Sequence, residues 1–141
     1  MRTIKTSSEE GTMEAGRALA AELHAGDVLL IEGPLGAGKT AFVRGLAEGL
    51  GADPGDVSSP TFTILQQYAG SVTLYHADLY RLTAADAADL GLEETGLDGI
   101  LAVEWPDRWS AAPATAIRIL IDDKGGNDRD IRITRQDYST R

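Results

Sequence analysis

The residues most clearly equipped for chemistry form the stretch from Gly33 to Thr40, GPLGAGKT, which matches G-x-x-x-x-G-K-[ST] at every required position. Gly36 and Gly38 allow the backbone to curl, so that successive N–H groups point at one anion. Lys39 supplies a positive charge for the β- and γ-phosphates of a nucleotide, and Thr40 supplies a hydroxyl for Mg²⁺. The stretch therefore predicts a phosphate-binding loop, with Lys39 exposed when the loop is empty. The alternative, a glycine-rich turn with a surface lysine, is disfavoured by the complete match.

Two acidic residues follow buried strand patterns and are candidates for the metal site. Glu104 ends the apolar run ILAV, and Asp78 ends VTLYHA. An acid near the metal is expected at the carboxyl end of a strand beside the loop. We expect Glu104 to hold Mg²⁺, directly or through water, and Asp78 to orient the attacking water or the hydration shell of the metal. An exposed acid at a strand end is the alternative for each, and the pairing with a phosphate loop disfavours it.

A third candidate, Thr61, lies in the segment SSPTFTI between the loop helix and the next strands. Many P-loop switches carry a threonine here that senses the γ-phosphate and the metal, and Pro60 would set the approach of the chain. Ser-Pro-Thr by itself is more typical of a turn that enters a strand. A catalytic role for Thr61 is therefore an expectation that the motif alone does not decide.

Aromatic and histidine side chains near these acids allow several interpretations. Trp105 and Trp109 surround Pro106 and are compatible with a core position, a base-stacking surface or a partner contact. His76 precedes Asp78 by two residues, so both side chains share one face of a strand. This spacing favours a structural hydrogen bond from His76 over metal ligation.

An alternating α/β order must position these groups. RTIKT predicts an opening strand, and the capping pattern from Ser7 to Glu10 predicts the helix after it. DVLLIEG is an apolar run typical of a strand buried on both faces of a parallel sheet. The phosphate loop follows this strand directly, and KTAFVRGLAEGLG after it shows helical spacing. Strand, loop and helix is the order that the motif requires.

The second half of the chain continues the same sheet. FTILQQY and SVTLYHADLY predict an antiparallel hairpin, and the capping pattern from Thr83 to Asp86 opens a short helix. GILAVEW, AIRILI and DIRIT predict three further strands, with a turn over residues 124–128. The predicted fold class is an α/β P-loop NTPase, with a mixed, mainly parallel sheet flanked by helices and an antiparallel hairpin.

Composition and charge restrict the possible classes. The 141 residues, 43% of them hydrophobic, predict one compact domain over 1–141 with no room for a second substrate domain. No cysteine is present, so disulfides and thiolate chemistry are excluded. No apolar run reaches the length of a signal peptide or membrane span, which predicts a cytoplasmic protein without membrane contact. The net charge of −9 would repel a polyphosphate backbone, so any contact with nucleic acid is expected to be indirect.

Four segments in this order and spacing resemble one family. GPLGAGKT, SSPTFTI, LYHADLYRL and VEWPDRW are similar to segments of the TsaE family, the small bacterial ATPases of tRNA threonylcarbamoyladenosine biosynthesis. The resemblance runs from about Thr12 to Trp109. Its most specific elements are the H-x-D-x-Y-R pattern that begins at His76 and the Glu-Trp pair at Glu104.

The resemblance implies a Mg²⁺-dependent ATPase that is slow alone and is stimulated by two partner proteins, TsaD and TsaB. These partners install the threonylcarbamoyl group on the adenosine beside the tRNA anticodon, so tRNA would be met only through the complex. Thr40 and Glu104 would serve Mg²⁺, and Asp78 would be catalytic. The nucleotide-binding residues implied or predicted are Thr12, Gly33, Gly36, Ala37, Gly38, Lys39, Thr40, Ala41, Asp78 and Arg129. The chain departs from the family pattern at Pro34 and in its short tail, and neither departure removes a group that the site needs.

The sequence also bears on three other classes of protein. A small-molecule phosphotransferase (kinase) is the principal alternative, but it needs an acceptor pocket and an arginine-rich lid, whereas the arginines here are scattered. A GTPase needs a guanine-reading Asn-Lys-x-Asp element, and Asp123 stands where Asn should precede Lys124. A binding module that uses the loop only as a scaffold is disfavoured by the paired acids.

Overall fold

The computed structural model describes residues 2–57 and 64–135, and it shows seven strands and four α-helices there. The strands are β1 (Arg2–Thr6), β2 (Val28–Glu32), β3 (Leu65–Tyr68), β4 (Leu74–Asp78), β5 (Ile100–Glu104), β6 (Ile117–Asp123) and β7 (Arg129–Thr134). The α-helices are α1 (Glu9–Ala20), α2 (Lys39–Gly49), α3 (Ala84–Ala88) and α4 (Leu92–Thr95). Each predicted strand and helix is present. The four-residue helix α4 was not predicted, because its sequence carries no capping pattern.

All seven strands form one sheet in the order β1-β7-β6-β2-β5-β4-β3. The central strands β6, β2, β5 and β4 are parallel to one another, whereas β3 and β7 pair antiparallel with their neighbours. The mixed, mainly parallel sheet and the β3–β4 hairpin are therefore confirmed. Because β2, β5 and β4 are parallel neighbours, their carboxyl ends meet at one edge of the sheet.

The sheet is covered on both faces, as the apolar runs predicted. Along β2, Leu29 and Ile31 pack under α1 and α2, while Leu30 packs on the opposite face with α3, α4 and Trp109. All five residues of β5 are buried. Burying one large apolar side chain stabilises a fold by roughly 1.5–3 kcal/mol, so this two-sided core holds the central strands rigidly in place.

The backbones of helices α1 and α2 lie very close together where the two helices cross. A Cβ built on Gly45 would lie 1.9 Å from the carbonyl oxygen of Met13, and one on Gly16 would lie 2.2 Å from that of Phe42. Such distances leave room only for glycine, so the backbones of the two helices are in contact. The contact fixes α1 against the helix that follows the phosphate loop.

The helix starts are confirmed with one correction. The N-cap of α1 is Ser8 and not Ser7: its extended backbone lets its side chain accept a hydrogen bond from the N–H of Gly11. The second capping pattern is confirmed, because Thr83 and Asp86 each accept a bond from the other's backbone N–H. None of the described helices has the length and apolar character needed to cross a membrane.

Candidate phosphate and metal site

A cavity of about 870 Å³ opens at the carboxyl ends of β2, β5 and β4. Of the site residues that the sequence pointed to, ten line it together: Thr12, Gly36, Ala37, Gly38, Lys39, Thr40, Ala41, Asp78, Glu104 and Arg129. Gly33 does not line the cavity. It lies beneath the loop, where a Cβ would come within 2.7 Å of the carbonyl oxygen of Ile121. Thr61, the other expected catalytic residue, lies outside the described residues.

The loop has the backbone conformation that its glycines allow. Gly36 has φ +77° and Gly38 has φ +103°, both in the left-handed region that other residues rarely adopt. Gly38 is also the N-cap of α2, and no side chain of the described residues caps that end. The start of α2 is therefore open toward the cavity, where helix N–H groups and the helix dipole favour an anion.

Lys39 is buried, with 5% of its surface exposed, so the expectation of an exposed lysine is wrong. Its Nζ donates a hydrogen bond to the carbonyl oxygen of Gly33 at 2.6 Å and lies 3.9 Å from the ring centroid of Trp105. Burial lowers the pKa of the Lys39 ammonium, and the negative charges of Glu104 and Asp78 oppose that shift. The loop folds its lysine inward because a carbonyl and an aromatic face are available there.

Glu104 is also buried and is held by a histidine. The residue is 3% exposed, and its Oε2 lies 2.6 Å from Nε2 of His76, which is 1% exposed. A carboxylate oxygen only accepts, so Nε2 is the donor. The structural hydrogen bond predicted for His76 is confirmed, and the alternative of an exposed acid is wrong for Glu104. Among the described residues, Nδ1 of His76 has no hydrogen-bond partner.

Asp78 lies beside Glu104, because the two residues are in register on the parallel strands β4 and β5. Its Oδ1 accepts a hydrogen bond from the N–H of Tyr80 at 3.0 Å. Burial raises the pKa of Asp78 above its ordinary value, and the charge of Glu104 adds to the rise. The Tyr80 N–H and the positive charge of Lys39 oppose it. A desolvated carboxylate facing an ammonium across a cavity is typical of a functional site.

The donors around the cavity are hard oxygen atoms. Thr40 contributes a hydroxyl, and Asp78 and Glu104 contribute carboxylates. In the part of the chain that the structure describes, no three His, Cys, Asp or Glu side chains gather closely enough to hold a metal by themselves. This chemistry fits Mg²⁺, which keeps several waters and takes few protein ligands when a nucleotide supplies phosphate oxygens.

Thr12 of helix α1 lies against the phosphate loop. It is buried, and its Oγ1 donates a hydrogen bond to the carbonyl oxygen of Ser8 at 3.3 Å and lies 3.1 Å from Oγ1 of Thr6. A Cβ on Gly38 would lie 3.5 Å from its methyl group. Thr12 therefore lies at the cavity wall against the phosphate loop, and the nucleotide contact that the family resemblance implies for it stays a prediction.

The two tryptophans have different roles, which the sequence left open. Trp109 is a core residue: it is 3% exposed, and its Nε1 donates a hydrogen bond to Glu93 at 3.4 Å. Trp105 lines the cavity, with a left-handed backbone of φ +58° and its ring 4.9 Å from that of Tyr80. Trp105 therefore packs its ring against the ammonium of the buried lysine.

Several cavity residues were not predicted as site residues. They are Ser8, Glu9, Leu35, Arg44, Ile64, Tyr80, Arg81, Leu82, Trp105 and Asn127. Arg44 follows Thr40 by one helical turn, a spacing that could have pointed to it. Asn127 could not have been found this way, because it reaches the cavity from the turn between β6 and β7.

The fold and the loop define a P-loop NTPase. Residues 6–131 match the family described as threonylcarbamoyl adenosine biosynthesis protein TsaE. The chain belongs to the TsaE family, whose members are tRNA threonylcarbamoyladenosine biosynthesis proteins.

Individual TsaE proteins are similar to this protein over most of its length. The protein is 41% identical to the TsaE protein of Nostoc sp. over 140 residues, which is 93% of this chain and 85% of the relative. It is 41% identical to that of Bacillus subtilis over 133 residues, or 92% and 83% of the two chains. The crystal structure of Bacillus subtilis YdiB superposes with a TM-score of 0.78 at 36% identity, covering 95% of this chain and 84% of that one.

Proposed function

We propose that this protein is a Mg²⁺-dependent ATPase that drives formation of threonylcarbamoyladenosine beside the anticodon of tRNA as a partner of TsaD and TsaB. One observation carries the ATPase assignment: Lys39 and Thr40 face Asp78 and Glu104 across one cavity at the edge of the sheet. Membership in the TsaE family supports the place in tRNA modification.

The loop binds the phosphates. The open end of α2 and the N–H groups from Gly36 to Ala41 receive the negative charge. The Lys39 ammonium has three protons and donates one to the carbonyl of Gly33, so two remain for phosphate oxygens. Binding of a polyanion beside Lys39 also favours its charged form, which burial alone disfavours.

Thr40 and Glu104 would hold Mg²⁺, and the ion would supply positive charge to the phosphate oxygens. His76 keeps the Glu104 carboxylate aimed by its hydrogen bond of 2.6 Å. Asp78 orients the attacking water, and its raised pKa makes it a better proton acceptor than an ordinary aspartate. Trp105 and its neighbours exclude bulk water from the lysine.

In this proposal ATP acts through conformation, and the second substrate is bound by the partners. The isolated protein is then a slow ATPase whose rate rises when TsaD and TsaB bind, and linkage requires that ATP change the affinity for these partners. The acidic protein docks on partners whose own basic surface holds tRNA.

Two measurements test the proposal. ATP hydrolysis, assayed with Mg²⁺ and with GTP as the competing substrate, should be slow alone and faster with the TsaD–TsaB complex and tRNA. Calorimetric titration into that complex should give different affinities with an ATP analogue, with ADP and without nucleotide. Equal affinities in all three conditions would exclude the switch mechanism, and transfer of phosphate to a small acceptor would favour the kinase alternative.

A further inference from the structure

Arg129 connects the phosphate loop to a distant turn of the sheet. Its side chain is 15% exposed and extends from the start of β7 toward the loop. Nε donates to the carbonyl oxygen of Ala37 at 2.9 Å, and Nη2 donates to that of Gly36 at 3.3 Å. The same guanidinium therefore contacts two consecutive carbonyls of the loop.

The other side of the guanidinium is anchored in the turn between β6 and β7. Nη1 lies 3.2 Å from Oδ1 of Asp123, 2.8 Å from the carbonyl oxygen of Gly126 and 2.9 Å from that of Asp128. All three guanidinium nitrogens of Arg129 thus have acceptors within the protein. The rigid fork of an arginine can bridge two acceptor groups in this way, whereas a lysine ammonium cannot span both.

These contacts control the direction of the loop peptides. A peptide unit is planar, so holding the carbonyl of Ala37 also fixes the direction of the N–H of Gly38, one of the expected phosphate donors. Gly36 and Gly38 are the most flexible residues of the loop and lose the most conformational freedom when it is ordered. A clamp that orders them before the ligand arrives lowers the entropic cost of binding.

We propose that Arg129 is a positioning residue that shapes the phosphate loop from the β6–β7 turn in the nucleotide-free protein. This role differs from the direct nucleotide contact that the family resemblance implied. The positioning role depends on the proposed function only for the identity of the ligand, because all the contacts of Arg129 that form the clamp are made within this chain. Its consequence is that β7 and the β6–β7 turn belong to the phosphate site, although they lie outside the P-loop motif.

Hydrogen–deuterium exchange of the nucleotide-free protein tests the clamp without any ligand. In Arg129→Met, the amides of residues 35–38 should exchange about tenfold faster than in the wild type, because two hydrogen bonds that order the loop are gone. Arg132→Met is the matched control: it lies on the same strand and pairs with the half-buried Asp122, and neither residue lines the cavity. Unchanged exchange in Arg129→Met would overturn the proposal. If circular dichroism shows that Arg129→Met does not fold, Arg129→Lys takes its place, with faster exchange again expected.

Inorganic tripolyphosphate has no base or ribose, so its binding distinguishes a positioning role of Arg129 from a direct contact of Arg129 with the base or ribose of ATP. If Arg129 shapes the loop, Arg129→Met weakens tripolyphosphate and ATP by the same factor in calorimetry. Weaker ATP with unchanged tripolyphosphate would mean a base or ribose contact and would overturn the proposal. If the wild type binds neither ligand, the proposed ATPase function fails, and the exchange experiment still decides the role of Arg129.

Discussion

Nε2 of His76 lies 2.6 Å from Oε2 of Glu104, and both side chains are almost completely buried. The two residues are 28 positions apart and meet because β4 and β5 are parallel neighbours. The bond satisfies one oxygen of a carboxylate that would otherwise be costly to bury. It also sets the orientation of the acid that we assign to Mg²⁺.

Replacing His76 by a residue that cannot donate a hydrogen bond to Glu104 should raise the Mg²⁺ concentration that ATP hydrolysis requires. In His76→Gln the side-chain amide can still donate to Glu104, so the half-saturating Mg²⁺ concentration for ATP hydrolysis should stay close to that of the wild type. In His76→Leu it should rise several-fold, and unfolding in urea should show a loss of about 2 kcal/mol, because the buried carboxylate loses its donor. A leucine variant with unaltered Mg²⁺ dependence would show that the bond is only structural.

Substitutions of Asp78 and Glu104 should change different kinetic quantities. Asp78→Asn should bind ATP and Mg²⁺ nearly as the wild type does and lower kcat, because an interaction made mainly in the transition state appears in kcat. Glu104→Gln keeps an acceptor for His76 and should raise the Mg²⁺ requirement instead. Magnesium titrations of ATP binding and hydrolysis for both variants measure this difference. Exchanged behaviour would mean that the two roles are reversed.

Lys39 should be needed for the ligand and dispensable for folding. Lys39→Met keeps an aliphatic chain against Trp105 but removes the charge, so calorimetry should show loss of ATP binding. Thermal unfolding should be little changed, because the ammonium is desolvated in the empty site. Lys39→Ala should lose binding equally but melt lower, since it also loses the packing. Unchanged ATP affinity in either variant would contradict the phosphate role.

Removing the charge of Asp78 should stabilise the nucleotide-free protein. The folded-state pKa of Asp78 is raised, so its ionised form costs folding free energy at neutral pH, and this cost disappears as the pH falls through that pKa. Asp78→Asn should therefore melt higher than the wild type at pH 7, and the difference should shrink as the pH is lowered. Melting curves at several pH values measure it. An Asp78→Asn variant that melts lower than the wild type at pH 7 would show instead that the carboxylate is stabilised in the fold.

The close crossing of α1 and α2 should tolerate no side chain at its centre. Gly45→Ala places a Cβ 1.9 Å from the carbonyl oxygen of Met13, so the helices must separate, at a cost of about 3 kcal/mol. Gly11→Ala, whose Cβ would lie 3.3 Å from its nearest neighbours, is the control and should cost much less. Urea unfolding of both variants gives the comparison. Equal stability of the two would mean that the backbone contact is easily relieved.

Local patterns in the sequence were sufficient to predict the seven strands, the helices α1 to α3 and the phosphate loop, but not the short helix α4. The left-handed glycines, the strand that precedes them and the helix that follows are all specified within one short stretch, because turn chemistry and apolar periodicity act over a few residues. The hairpin and the Thr83 cap were predictable for the same reason. The shift of the first cap from Ser7 to Ser8 was not, since only Ser7 has a glutamate three residues later, whereas Ser8 is followed at that distance by Gly11.

Contacts between distant segments were decided by the tertiary structure. The sequence indicated Asp78 and Glu104 as strand-end acids, but only the sheet order, with β5 between β2 and β4, places them side by side facing Lys39. Burial of that lysine depends on Trp105, and the clamp of Arg129 on Ala37 joins residues 92 positions apart. No local pattern encodes such pairs, because strand order and side-chain burial follow from the free energy of packing the whole core.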